Sequence, residues 1–133
     1  RVFEFSQFLT EVAKVEDVGA RCRRVVTFHD SCHGLRELRI KDGPRRLLRN
    51  VEGLELREMD IPEECCGFGG TFSVKFPDLS AAMTQTKIES ILRTGADAVV
   101  GIDSSCLMQI RGALSRAGSP VETLHLAEVL ASR

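Results

Sequence analysis

The segment Ala98-Val99-Val100-Gly101-Ile102-Asp103-Ser104-Ser105-Cys106 decides the fold. An apolar run of strand length hands over to an acid and two serines, residue types that start helices. Leu107, Ile110, Arg111 and Leu114 then repeat at helical spacing, and Gly118 with Pro120 ends that helix. Working outward, three more apolar runs occupy 24–28, 54–59 and 121–124. The stretches between them are long enough for helices. Residues 80–94 put Thr84, Ile88, Ile91 and Leu92 on one face, with Ser80 as the N-cap and Gly95 just past the last turn. Shorter helices are predicted at 44–50 and 126–130, and residues 2–15 read as an amphipathic lead-in helix carrying Phe5, Phe8, Leu9 and Val12. Strand alternating with helix predicts an α/β fold: a single domain with a mainly parallel four-stranded sheet flanked by helices and joined by right-handed crossovers.

Ligands of open parallel sheets sit beyond the carboxyl ends of the strands. Cys32 follows the first apolar run, Cys65 and Cys66 follow the second, Cys106 follows the third and His125 follows the fourth. The apolar runs alone define the strands, so this placement of the cysteine loops at one rim of the sheet is independent support for a shared site. The stretch Cys65-Cys66-Gly67-Phe68-Gly69-Gly70 adds a reason. Neighbouring side chains on an extended strand point to opposite faces, so two adjacent thiols can serve one centre only if the backbone turns sharply. Glycine tolerates that turn, and Gly67, Gly69 and Gly70 let backbone N–H groups approach a cluster's sulfurs. Cys106 lies in a first helical turn, where free N–H groups and the helix dipole favour the thiolate that ligates metal.

Composition narrows the class. A chain of 133 residues fits one domain and needs no disulfide staples. A formal charge of −1 argues against nucleic acid as a partner. No apolar run approaches a membrane span of about 18–20 residues. Five cysteines, two of them adjacent, suit a reducing cytoplasmic setting with thiols kept for metal or redox chemistry better than a secreted disulfide framework. The chain opens on Arg1, which reads as an excised segment.

Other residues have blander readings. Cys22, among Arg21, Arg23 and Arg24, is incidental. In His29-Asp30-Ser31-Cys32-His33 a Cys/His nucleophile lacks an orienting third group, whereas His29 or His33 suits a donor to a metal-bound sulfur or a replacement ligand. Asp103 reads as local cap chemistry, with a weak oxygen ligand as the alternative. The glycine run fails as a dinucleotide fingerprint because Phe72 occupies the sixth position. Arg36, Arg39, Lys41, Arg45, Arg46 and Arg49 form a solvated basic face, or a docking surface for an acidic partner or a carboxylate substrate. Phe3, Phe5 and Phe8 either pack on the sheet or face a neighbouring domain.

The residues HDSCHGLRELRIKDGPRRLL, then EECCGFGGTFSVKFPDLSAAM, then DSSCLMQI resemble the cysteine-rich CCG domain: a cysteine, a long gap, Cys-Cys-Gly, a second gap and a final cysteine. The family is related to the iron–sulfur subunit of glycolate oxidase and to a cysteine-rich subunit of heterodisulfide reductase. The opening RVFEFSQFL and closing ETLHLAEVL extend the resemblance to the whole chain, as the second of two such domains. It implies that residues 1–133 are one CCG domain, the C-terminal half of a larger two-domain protein. It further implies an electron-transfer role in a multi-subunit system that oxidises lactate or glycolate, without catalysis by the domain alone. Implied partners are the other subunits of that system and the preceding CCG domain.

By position, Cys32, Cys65, Cys66 and Cys106 match the ligand cysteines. The family pattern ends in Cys-x-x-Cys and Asp103 stands at the earlier position, so one thiolate is missing. Four thiolates suffice for a [4Fe–4S] cluster or for tetrahedral zinc. A five-thiolate non-cubane cluster would need Asp103 or a histidine as substitute. Two rival readings remain open: a structural zinc module for subunit assembly, and a thiol redox sensor in which Cys65 and Cys66 oxidise. An isolated, aerobically prepared fragment is expected to lose a cluster, and to associate with itself through an apolar patch.

Overall fold

The structure is a computed structural model that describes residues 2–68 and 71–133; Gly69 and Gly70, and the side chains of His33 and Ser73, lie outside the description. The four apolar runs form β1 (Val25–Phe28), β2 (Glu55–Leu56), β3 (Ala98–Gly101) and β4 (Glu122–His125). All three pairings are parallel, and the strand order is β2-β1-β3-β4. The predicted parallel four-stranded sheet is therefore present. Only β2 is much shorter than its apolar run. It lies at the edge beside a four-residue β1, and after Arg57 the chain leaves so that Met59 can bury on the other face.

The strands sort their side chains by alternation. Val26 and Phe28 of β1, with Ala98 and Val100 of β3, pack against Leu47 and Leu48 of helix α2 (Asp42–Arg49) and Leu126, Val129 and Leu130 of helix α6 (Leu126–Leu130). Val99 faces the opposite way. It meets Ile88 and Ile91 of helix α4 (Pro77–Arg93) and Ile110 and Leu114 of helix α5 (Ser104–Arg116). Helices thus cover both faces, as buried parallel strands require. The chain runs outward from β1 to β2, then crosses back to place β3 on the other side of β1. The carboxyl ends of β1 and β3 consequently flank the crevice where such sheets bind ligands.

Three local expectations are corrected. Ser80 is not the N-cap of α4. Pro77 occupies the first turn, which suits a residue without an N–H, and Ser80 is buried one turn in. Leu92 points outward, and the inward stripe is Ser80, Thr84, Lys87, Ile88 and Ile91. Gly95 does end α4, at φ +70°. The lead-in helix is shorter than residues 2–15: α1 (Phe5–Gln7) continues as a π-helical turn, Phe8–Val12. Its Phe5 and Phe8, with Phe3, are exposed rather than packed on the sheet. Two short helices had no sequence signal, a π-helical turn His33–Glu37 after Cys32 and α3 (Phe72–Lys75) after the glycine run.

Candidate metal centre

Three loops leave the carboxyl rim and bring the thiols together. The first starts where His29 N–H extends the ladder to Val100 O at 2.9 Å. Asp30 follows, its carboxylate gripped by Arg45 through two hydrogen bonds of 2.9 and 2.8 Å, and both side chains are nearly sealed from solvent. Arg45 also binds Glu58 and lies over the Phe28 ring, 5.1 Å from its centroid. This network fixes the backbone that carries Cys32. Burial works against the Arg45 charge, but Asp30 and Glu58 outweigh it and hold the guanidinium ionised.

The second loop is tied to the first at Pro62. Its carbonyl accepts Asp30 N–H at 3.2 Å and Lys87 Nζ at 3.1 Å. Beyond it the Cys65–Cys66 corner is clamped by α4: Thr84 Oγ1 donates to Cys66 O at 2.6 Å, and Ser80 Oγ donates to Gly67 O at 2.5 Å. Gln109 Nε2 on α5 donates to Thr84 Oγ1 at 3.0 Å, which links the corner to the helix carrying Cys106. Gly67 has φ +89°, and a Cβ there would lie 2.5 Å from Ser80 O. Only glycine fits that approach. With the carbonyls turned toward α4, the N–H groups turn toward sulfur: Gly67 N donates to Cys65 Sγ at 3.3 Å and Phe68 N to Cys66 Sγ at 3.5 Å.

The third loop ends at Asp103, whose carboxylate accepts Ser105 N–H at 2.9 Å and Cys106 N–H at 3.4 Å. Asp103 is therefore the N-cap of α5, in place of Ser104 or Ser105. This cap sets Cys106 in the first turn.

The thiols meet in two contacts. Cys32 lies against Cys65, and Cys106 lies against Cys66 with His29 beside them. The ligand atoms of His29, Cys66 and Cys106 all stand within 4.8 Å of one another. Tetrahedral coordination at bond lengths of about 2.3 Å separates ligand atoms by about 3.8 Å, so a contraction of at most about 1 Å closes the set on one ion. All five cysteines are free thiols. The Cys106 thiol, then His29 and the Phe68 N–H, outweigh burial and hold Cys66 down to about 4. Cys106 moves the other way, first because its proton is shared with Cys66 and then because it is buried. Burial also pushes Cys65 up, against the pull of the Gly67 N–H. The pair Cys66–Cys106 thus holds one thiolate ready for a cation.

His29 supplies the fit test for a metal. Its ring is buried, at 1% exposure, and although it lies beside the Cys66 sulfur neither ring nitrogen makes a hydrogen bond of ordinary geometry. A buried imidazole without partners is costly unless something absent from the polypeptide binds it. A metal held with the neighbouring thiolates satisfies it. The residues fit. Sequence reasoning gave His29 and His33 equal weight; the structure brings His29 to the thiols, and the His33 side chain lies outside the description. Gly67 is at the corner as expected, and Gly69 and Gly70 lie outside the description. His125 reaches the same rim, but its Nδ1 caps α6 at Ala127 N and its Nε2 meets Ile102 O at 3.2 Å. Ser80, Thr84, Lys87 and Gln109 were missed as site residues. The spacing of the first three on α4 (i, i+4, i+7) was the available signal, but Ser80 reads as an N-cap in the sequence, Thr84 as part of an apolar face, and Lys87 carries no signal of its own.

Fold and site together define a cysteine-rich α/β domain with three loops converging on a centre able to hold a metal. The chain belongs to the cysteine-rich CCG domain family, which matches residues 26–111. Among curated proteins it is similar to lactate utilization protein A of Bacillus cereus (strain G9842), 47% identical over 133 residues, all of this chain and 56% of that protein. The protein of the same name from Geobacillus sp. (strain WCH70) is 48% identical with the same coverage. That from Exiguobacterium sp. (strain ATCC BAA-1283 / AT1b) is 48% identical over 130 residues, 98% of this chain and 53% of its own length. The chain thus spans about half the length of the curated relatives it matches. Among the described residues, no helix is long and apolar enough to cross a membrane.

Proposed function

We propose that this domain holds an iron–sulfur cluster and serves as an electron-transfer component of a cytoplasmic system that uses lactate or glycolate. The observation that carries the reading is the convergence of Cys32, Cys65, Cys66 and Cys106 from three loops, with N–H groups of Gly67 and Phe68 directed at sulfur. Such hydrogen bonds stabilise charge on cluster sulfurs and tune reduction potential. The likeness to lactate utilization protein A supports the substrate class. A bound [4Fe–4S] cluster supplies one-electron transfer. The chain's own residues hold it: four cysteines as ligands, with Asp103 fixing the turn that presents Cys106.

The test is iron and sulfide analysis with electron paramagnetic resonance on protein purified without oxygen. Near-stoichiometric iron and sulfide, with a signal appearing on reduction, supports the proposal. Colourless protein without iron contradicts it.

The unpartnered His29 ring favours one second reading, a zinc centre built from His29 and thiolates that ties the three loops together for subunit assembly. Stoichiometric zinc without iron in the same preparation would select it.

For partners, we propose the preceding CCG domain and further subunits of the same system. Val74, Phe76, Leu79 and Met108 are large apolar side chains exposed by 54–80%, and Leu79 and Met108 adjoin the hydrogen-bonded pair Ser80 and Gln109 beside the cysteine corner. Apolar surface of this kind fits a docking face. Sedimentation of the 133-residue segment should show self-association, and a charge placed at Phe76 or Met108 should abolish it; a clean monomer of the unaltered segment contradicts this.

A further inference from the structure

Lys87 is fully buried at 0% exposure, one turn beyond Thr84 on the stripe of α4 that clamps the Cys65–Cys66 corner. Its Nζ donates to Pro62 O at 3.1 Å and approaches Met59 Sδ at 3.9 Å, and neither acceptor is charged. Among the described residues no carboxylate pairs with it directly. A buried ammonium with only neutral contacts is expensive, and methionine or leucine would fill the space without that cost. The negative groups that act on it are, in order, Glu64, Cys66, Asp30 and Cys65. Two of these are thiols of the candidate centre. Burial is the largest influence and holds Lys87 below the usual lysine range, while these groups pull it back toward the ammonium.

We propose that Lys87 is the charge-compensating residue of the metal centre, a buried cation that offsets the negative charge gathered when the cysteines bind metal as thiolates. The inference rests on the reading that the thiols hold a metal, and it is indifferent to which metal. In a low-dielectric interior a full charge acts across several ångströms, so Lys87 need not touch the metal. It acts through the thiolates and is a positioning residue. If the centre holds a cluster, the cation also favours the reduced, more negative state, and its removal lowers the reduction potential.

Cobalt(II) titration of the full-length, reduced protein tests this, because sulfur-to-cobalt absorption reports thiolate ligation directly. Lys87→Gln keeps a donor toward Pro62 without charge, and Lys87→Met keeps volume with neither. Both variants should bind cobalt(II) about tenfold or more weakly, while their metal-free forms melt within a few degrees of the unaltered protein. Glutamine binding as tightly as lysine would overturn the inference. So would parallel loss of cobalt affinity and metal-free stability, which would assign Lys87 to packing. Failure of the unaltered protein to bind cobalt(II) would overturn the metal reading and this inference with it. Tight binding by the unaltered protein and by Lys87→Gln alike would leave the metal reading standing and sink only the role of Lys87.

Discussion

Thr84 Oγ1 donates to the Cys66 carbonyl at 2.6 Å while Phe68 N–H turns to the Cys66 sulfur at 3.5 Å. The helix therefore faces the carbonyl side of the corner, and the centre faces its N–H side. A sharp turn alone would not sort the two kinds of backbone group in this way.

Thr84→Val keeps the shape and removes the donor. The Cys66 carbonyl then loses a buried partner, at a cost of about 1–3 kcal/mol. Urea unfolding of the metal-free protein should show that loss without a change in slope. Metal affinity should fall as well, because the corner is no longer held. An unchanged midpoint would mean that the clamp contributes nothing.

Asp30→Ala strips Arg45 of the sealed one of its two carboxylate partners and leaves only Glu58, which binds it at 2.8 and 3.1 Å. Breaking a buried pair from one side costs up to about 3–5 kcal/mol, and the compensation kept from Glu58 puts the expected loss at the lower end of that range. Glu58→Ala should cost far less, because the Glu58 side chain is 41% exposed. Thermal melting of the two variants should separate them clearly. Equal losses would contradict the assignment of Asp30 as the principal anchor.

The fold was legible because the apolar runs are dense and the helix stops are strong: Gly95 and Gly118 both take positive φ where the sequence places helix ends. The cysteine set was legible because each thiol follows an apolar run. Less visible was anything depending on depth. Ser80 looks like a cap in sequence, but Pro77 starts the helix earlier and frees Ser80 to bind Gly67 O. Lys87 looks like a surface lysine until α4 packs over the corner. Asp103 takes the cap role its sequence position suggests, whereas His125 stands at the rim but is occupied by an N-cap hydrogen bond, a use that sequence spacing cannot distinguish from ligation.

A pH dependence follows from the Cys66–Cys106 pair. Cys66 is depressed to about 4 in the folded protein, and Cys106 is raised above the ordinary thiol value of 9.0. Between those two pH values the folded pair holds one proton and the unfolded chain two, so stability rises with pH. Above 9.0 the unfolded chain has lost both protons while folded Cys106 keeps its own, so stability falls. The metal-free, reduced protein should therefore exceed Cys66→Ala in stability by a margin that grows as pH rises from about 4 to 9.0. A margin independent of pH from 4 to 9 would show that the two thiols do not share a proton.

Sulfurs far apart in the chain binding one inorganic centre is the point on which the rest depends. X-ray absorption fine structure on the zinc-loaded, full-length protein is the decisive check, because it counts the atoms bound to the metal. Three or four sulfur neighbours at about 2.3 Å are expected, with any remaining position filled by nitrogen. A shell of oxygen and nitrogen with no more than one sulfur would refute the shared centre.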